Sequence, residues 1–294
     1  MKKVKEIVVV SGKGGTGKTT VTASLAAVLS PQVIVDADVD AANLHLLMKP
    51  AGTVFTNFSG KDLAWIDPER CRNCGTCADL CRFGAIRLTD DEVYLVDEVS
   101  CEGCTLCALA CPEGAVEMVP RRVGQWMVSR TAYGDFVHAR LKPGGENSGN
   151  LVTMVRHQAK LLARRKEIDT ILIDGPPGIG CPVNAALSGT DFALVVTEPT
   201  YSGIHDLERL LQLIRHFDIY AAIVINRFDI NRENTRSIET FARQEAIPVL
   251  ARIPHSYDII DAIARAEVPL QHSAELREAV SKISAGIFAY FGQK

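Results

Sequence analysis

Short apolar runs, each closing on glycine, acidic or other polar residues, recur along the chain. Residues 4–10 (VKEIVVV) are rich in β-branched side chains and predict a buried strand. The Gly-rich stretch SGKGGTGKTT follows at 11–20, and VTASLAAVL (21–29) then has helical character. The same apolar run with a polar tip returns at VIVDAD (33–38), TILIDGPPG (170–178), ALVVTEPT (193–200) and AAIVINRFD (221–229). LVTMVRHQAKLLARRK (151–166) and HDLERLLQLIRHF (205–217) carry helical apolar spacing, and PGGENSGN (143–150) is a turn-rich loop. In the last predicted helix, 276–291, Leu276, Val280, Ile283, Ile287 and Phe291 fall near one face. Arg277, Lys282 and Lys294 are few charges for a membrane-surface helix, so this face reads as core packing. Alternating strands and helices predict an α/β fold with a mostly parallel sheet and helices on both faces. Function in such sheets sits at the carboxyl ends of the strands, where the polar tips fall.

The pattern breaks between 61 and 119. Residues 65–88 align with 96–119 at a shift of 30. Cys71, Cys74, Cys77 and Cys81 match Cys101, Cys104, Cys107 and Cys111; Asp67 matches Asp97, and Gly84-Ala85 matches Gly114-Ala115. A duplicated half-unit of this size predicts a small inserted α+β domain at 61–119, interrupting one domain made of 1–60 and 120–294.

Composition narrows the classes. The 294 residues are 47% hydrophobic and 23% charged, which excludes a disordered or low-complexity chain. The net charge of −3 shows no basic excess for nucleic acid. The apolar run Ile7–Val10 is shorter than the roughly 7–15 residues of an export signal. No stretch approaches the roughly 20 apolar residues of a membrane span, so a cytoplasmic protein without a stable membrane anchor is expected. Eight of the nine cysteines lie between Cys71 and Cys111. In a reducing cytosol such a cluster points to metal ligands or redox groups rather than disulfides.

Gly12-Lys13-Gly14-Gly15-Thr16-Gly17-Lys18-Thr19, with Thr20 behind it, satisfies G-x-x-x-x-G-K-[ST] between a predicted strand and a helix. Glycines let backbone N–H groups converge on phosphate oxygens, and the helix adds its positive end. Lys18 is expected at the β- and γ-phosphates of ATP or ADP, and the Thr19 hydroxyl at Mg²⁺. Lys13, in KGGTGKTT, makes this loop resemble the deviant phosphate loop of the MinD/ParA family, across most of the chain outside the insertion. That resemblance implies an ATP-dependent homodimer in which Lys13 reaches the partner's phosphates. It also implies that Asp38 orients the attacking water, that Asp36 supports Mg²⁺ and that Asp174 is the second acidic strand end at the metal. Gly175 to Gly178 would form a switch. Asn226, less securely Asp229, and the Ile253-Pro254 pair would surround the adenine.

Two copies of C-x₂-C-x₂-C-x₃-C match the spacing of bacterial two-cluster ferredoxins, in which the fourth cysteine of each run serves the other cluster. One [4Fe–4S] cluster is therefore expected on Cys71, Cys74, Cys77 and Cys111, and a second on Cys101, Cys104, Cys107 and Cys81. Two Cys₄ zinc sites are the alternative, although zinc pairs are usually spaced more widely. Pro112 follows the last cysteine of the second run, whereas Arg82 follows that of the first, so one reduction potential is expected to rise beside Arg82. Cys181 stands seven residues after Asp174. A cluster ligand of the nitrogenase iron protein, which belongs to the same family, has that offset. Cys181 is either an interface metal ligand or an ordinary small residue behind the switch.

The whole resembles MinD-type ATPases carrying an inserted ferredoxin domain. That resemblance implies Mg²⁺-dependent ATP hydrolysis coupled to electron transfer with a redox partner. The alternatives are an ATP-dependent cofactor-assembly factor acting on a client protein and, third, a positioning or partitioning ATPase.

Overall fold

The computed structural model describes residues 3–29, 32–142 and 148–292; residues 143–147 of the expected loop and Lys294 lie outside them. The elements are β1 (Lys5–Ser11), α1 (Lys18–Ala26), β2 (Val33–Asp36), α2 (Leu44–Met48), β3 (Ala51–Ile66), α3 (Thr76–Leu80), β4 (Ile86–Leu88), β5 (Tyr94–Val96), α4 (Leu106–Ala110), β6 (Val116–Thr131), β7 (Gly134–Leu141), α5 (Ser148–Arg165), β8 (Thr170–Pro177), α6 (Cys181–Leu187), β9 (Phe192–Thr197), α7 (Tyr201–His216), β10 (Tyr220–Asn226), α8 (Arg232–Gln244), β11 (Val249–Ile253), α9 (Tyr257–Ala264) and α10 (Ala274–Gly292). They divide into two compact units. The larger holds the described residues up to Thr56, Trp126–Arg140 and those from Ser148 onward. The smaller holds Asn57–Gln125 with Leu141 and Lys142, a few residues wider on each side than the 61–119 expected for an insertion.

A nine-stranded sheet, of which β3 and β6 are shared between the two units, has the order β11-β10-β9-β1-β8-β2-β7-β6-β3. Every pair from β11 to β7 is parallel. Both sheet faces are covered, as an all-parallel core requires. Ile7 and Val9 share a core cluster with Leu25 of α1, Ile259 of α9 and Ile283 of α10. Val8 and Val10 point the other way and are equally inaccessible. In α10 the expected apolar face is buried at Leu276, Val280, Ile283 and Ile287, and Phe291 packs on Phe192 and Tyr290. It is a core helix. No helix among the described residues is long and apolar enough to cross a membrane.

The sheet runs on past β2, further than the apolar pattern predicts. β7 pairs in parallel with β2, and the two-residue turn Ala132-Tyr133 returns it from β6. This added layer buries His138, whose Nε2 lies 3.0 Å from Ser129 Oγ, which in turn lies 2.9 Å from Thr53 Oγ1. The imidazole stacks on Phe136 at 4.3 Å. Burial, and then the nearby His45 and Arg140, lower its pKa to about 4. Between pH 6.5 and 4 the unfolded chain therefore binds the extra proton. Stability from this group is complete above pH 6.5 and is lost as pH falls toward 4, by about 3 kcal/mol in all. In urea denaturation, wild type should lose about 3 kcal/mol relative to His138→Gln as pH falls from 6.5 to 4; a difference between the two that stays constant with pH would remove His138 as the cause.

The smaller unit follows its internal repeat. α3 and α4 are five-residue helices at equivalent places, and β4 pairs antiparallel with β5. The backbone takes positive φ at Asn73 and Gly103, at Gly75 and Thr105, and at Gly84 and Gly114, each pair 30 residues apart. Asp67 N–H donates to Ala115 O at 2.8 Å and Asp97 N–H to Ala85 O at 2.7 Å, so each half completes the other.

Candidate nucleotide site and a cysteine-rich unit

The phosphate loop runs from the end of β1 into α1. Gly17 must be glycine: its φ is 89°, and a Cβ there would lie 2.3 Å from Asn226 Nδ2. That amide donates to Thr16 O at 2.7 Å, tying the loop to the tip of β10. The buried Thr16 hydroxyl has no hydrogen-bond partner among the described residues. Gly175 is equally constrained, because a Cβ would meet Val9 O at 2.9 Å. Gly178 N–H donates to Ser11 O at 2.8 Å, which anchors the start of the 178–180 turn beside the loop.

Strand register brings the acidic tips together. Asp36 and Asp174 are register partners at the carboxyl ends of β2 and β8. Lys18 Nζ lies 3.1 Å from Asp174 Oδ1 and 3.5 Å from Asp38 Oδ2. Thr19 Oγ1 donates to Asp174 Oδ2 and Thr22 Oγ1 to Asp174 Oδ1, both at 2.8 Å. Asp36 turns both oxygens to backbone, accepting from Asp38 N and Leu44 N at 3.1 Å. It thus shapes the 37–44 loop that presents Asp38. Burial opposes the Lys18 charge, but Asp174, Asp38 and Asp36 outweigh it and raise the Lys18 pKa. Burial and then Asp174 hold the Asp36 carboxyl well above the usual range, against Lys18. Burial also raises Asp38, again opposed by Lys18. Asp174 and Asp38 around the one ammonium leave a local negative excess beside the Thr19 hydroxyl. That is the electrostatic setting for a divalent cation.

A second pocket opens beside the loop, lined by Gly17, Thr20, Asn226, Ile253, Pro254 and Ile259 among others. Its apolar side is built by Val21, Ile253, Ile259 and Ile263, and Asn226 supplies a carboxamide. Asp229, adjacent in sequence, accepts from His255 N at 2.8 Å and so fixes the loop behind Pro254.

Lys13 is docked within its own chain. Its Nζ lies 2.7 Å from Glu198 Oε1, 3.0 Å from Thr200 Oγ1 and 2.9 Å from Ser202 Oγ. Glu198 also holds Arg227 at 3.0 Å. Sequence reading missed Glu198, Thr200, Ser202, Arg227 and Thr22. Glu198 was within reach, because it is the one charged residue at the tip of the β9 run. Gly14 and Gly15 stand at the open rim of the loop, where a Cβ would touch nothing. Cys181 is the exposed first residue of α6.

In the smaller unit Cys77 is buried in a compact core against which Cys71, Cys81, Cys101, Cys107 and Cys111 pack. Cys81, Cys101, Cys104 and Cys107 line one small cavity. Ala85 N–H points at Cys81 Sγ at 3.4 Å, and Ala115 N–H at Cys111 Sγ at 3.3 Å. All nine cysteines are free of disulfides. Among the described residues no three His, Cys, Asp or Glu side chains converge closely enough to hold a single metal ion.

The chain matches the profile of the CobQ/CobB/MinD/ParA nucleotide-binding domain over residues 7–270. It is 29% identical over 283 residues to the uncharacterized protein MJ0578 of Methanocaldococcus jannaschii, covering 95% of each chain. With the septum site-determining protein MinD of Synechocystis it shares 25% identity over 270 residues, 89% of this chain and 80% of the other. The fold is also that of MinD from Pyrococcus horikoshii, solved with Mg-ADP: the TM-score is 0.59 at 19% identity, covering 97% of this chain and 96% of that one. With the phosphate loop, its lysine and the acidic strand ends assembled on this sheet, the chain belongs to the CobQ/CobB/MinD/ParA nucleotide-binding family and is an ATPase.

Proposed function

We propose that this ATPase is a nucleotide-operated switch whose output is electron transfer through an inserted iron–sulfur unit. The observation that carries the switch is the Lys18–Asp174–Thr19 constellation at the phosphate loop. On entry of ATP, Lys18 leaves Asp174 and Asp38 for the phosphate oxygens, and loop amides from Gly14 to Thr19 cradle the rest. Mg²⁺, held by Thr19 with Asp174 behind it, would neutralise phosphate charge. Asp38, freed from Lys18, orients the attacking water. Asn226 and Pro254 flank the base. Lys13 exchanges Glu198 for the phosphates of a second copy, which makes closure of a homodimer dependent on ATP.

The donor set of the smaller unit suits two [4Fe–4S] clusters, which supply one-electron chemistry when bound. Cys71, Cys74, Cys77 and Cys111 would hold one, and Cys101, Cys104, Cys107 and Cys81 the other. Two features support this: the second quartet already lines one cavity, and backbone N–H groups point at Cys81 and Cys111. Each cysteine of such a cluster binds a different iron, so four sulfurs need not converge on one point. Release of a cluster to a client protein is the variant in which the same cycle drives assembly.

A positioning ATPase is the second reading, favoured by the relatives that carry the septum site-determining name. Anaerobic reconstitution with iron and sulfide, then dithionite reduction and EPR with and without ATP, separates the two. Electron transfer predicts about eight irons per chain, a reduced-cluster signal and a response to ATP. Protein that takes up no iron, and keeps its cellular location when the eight cysteines become serine, supports positioning instead.

A further inference from the structure

We propose that the two thiol quartets are chemically unequal, with Thr76 and Leu106 setting a higher reduction potential at Cys71, Cys74, Cys77 and Cys111 than at Cys101, Cys104, Cys107 and Cys81. This rests on the iron–sulfur reading above and goes beyond it. The two halves superpose in sequence at a shift of 30, so residue-by-residue differences between them are meaningful. Their backbones act alike. Cys71 N–H donates to Asp67 O and Cys101 N–H to Asp97 O, both at 3.0 Å. The N–H groups of Ala85 and Ala115 approach Cys81 and Cys111 at 3.4 and 3.3 Å. Backbone donors therefore contribute nearly equally to both quartets.

The side chains do not. Thr76 Oγ1 lies 3.4 Å from Cys74 Sγ. The repeat equivalents are Leu106 and Cys104, and leucine has no donor. Asn73 adds no donor: the Cys71 thiol donates to its Oδ1 at 3.5 Å, and its repeat equivalent is Gly103. The cavity of the second quartet is walled mostly by apolar side chains, among them Leu80, Phe83, Leu106 and Met118, with Glu102 and Thr105 also on its lining. Reduction adds a negative charge. A hydroxyl donating to a ligand sulfur stabilises that charge, whereas an apolar wall penalises it.

Surface charges weigh less. Arg70 pairs with Glu117 at 2.8 Å and Arg72 with Glu113 at 3.4 Å, so these arginines are offset by glutamates. Arg82 follows Cys81 and favours the second quartet, but it is exposed and solvent-screened, and it is not among the residues lining that cavity. The donor difference thus outweighs the single cation, and the order of potentials is the reverse of that expected from Arg82 alone.

The test is potentiometric EPR on the full reconstituted chain. Each cluster accepts one electron from dithionite, and no bond forms or breaks. Wild type should show two midpoints. Thr76→Val should lower the upper one and Leu106→Thr should raise the lower one, each by up to about a tenfold change in the reduction constant, about 59 mV for one electron. Thr76→Ser keeps the hydroxyl and should keep the wild-type midpoint, which separates a donor effect from a packing defect. Two clusters with equal midpoints, or midpoints that respond only to Arg82→Pro, overturn the inference and leave the iron–sulfur reading intact. A chain that takes up no iron overturns both.

Discussion

Lys18→Ala should lower ATP hydrolysis by at least about a hundredfold, the usual loss when one preorganised transition-state contact is removed. Lys18 is the ammonium on which Asp174 and Asp38 converge, and its side chain is only 6% exposed. Its raised pKa keeps it charged across the physiological range. Without it, phosphate oxygens would lose their one buried cation and face Asp174 and Asp38 with only the loop amides to favour binding. The buried carboxyls would also hold protons more readily, since Lys18 is what lowers Asp36 and Asp38. Phosphate release reports the rate. The thermal shift on adding Mg-ATP reports binding, and that stabilisation should vanish in the variant. A Lys18→Ala protein that hydrolyses ATP at more than a tenth of the wild-type rate would remove this loop as the catalytic centre.

Arg156→Ala should destabilise the larger unit by about 3 kcal/mol, the lower end of the cost of breaking a buried ion pair. Glu6 on β1 is 2% exposed and receives both Arg156 Nη2, at 3.0 and 3.1 Å, and Lys160 Nζ, at 2.7 Å. Arg156 Nη1 donates to Ala185 O at 2.6 Å and Ser188 O at 2.8 Å, closing the end of α6. One side chain therefore ties α5, β1 and α6 together just behind the 175–180 turn. Its loss strands two carbonyls and half of the Glu6 charge, although Lys160 still pairs with it. A urea midpoint that falls with an unchanged slope is the expected signature. The double variant Arg156→Ala, Glu6→Gln should recover part of the loss, because the buried carboxylate is then gone and the charge left over is that of the half-buried Lys160. Full additivity of the two losses would show that the pair is not coupled.

Local signals carried much of the site. G-x-x-x-x-G-K-T between a strand and a helix needs no distant residue to be read, because backbone torsions and the helix end create its chemistry. The acidic tips at Asp36 and Asp174 were also legible, since a β-branched run that stops on aspartate marks the carboxyl end of a parallel strand. β3 was not legible. AGTVFTNFSGKDLAWI is largely exposed and interrupted by Gly52 and Gly60, so it lacks the alternation of a half-buried strand. β7 escaped for a different reason. Its burial comes from lying next to β2, and no property of FVHAR foretells that neighbour.

From residue order alone came the nucleotide-binding loop, the α/β class, the 30-residue duplication and the grouping of eight cysteines into two matched runs. These rest on spacing along the chain, which folding does not alter. Long-range partners were decided by the fold: Glu6 with Arg156 across 150 positions, Lys13 with Glu198, and Asp174 with both Thr19 and Thr22. Such pairs depend on strand order and register. Those are set by burial summed over the whole sheet, and no window of sequence contains that sum.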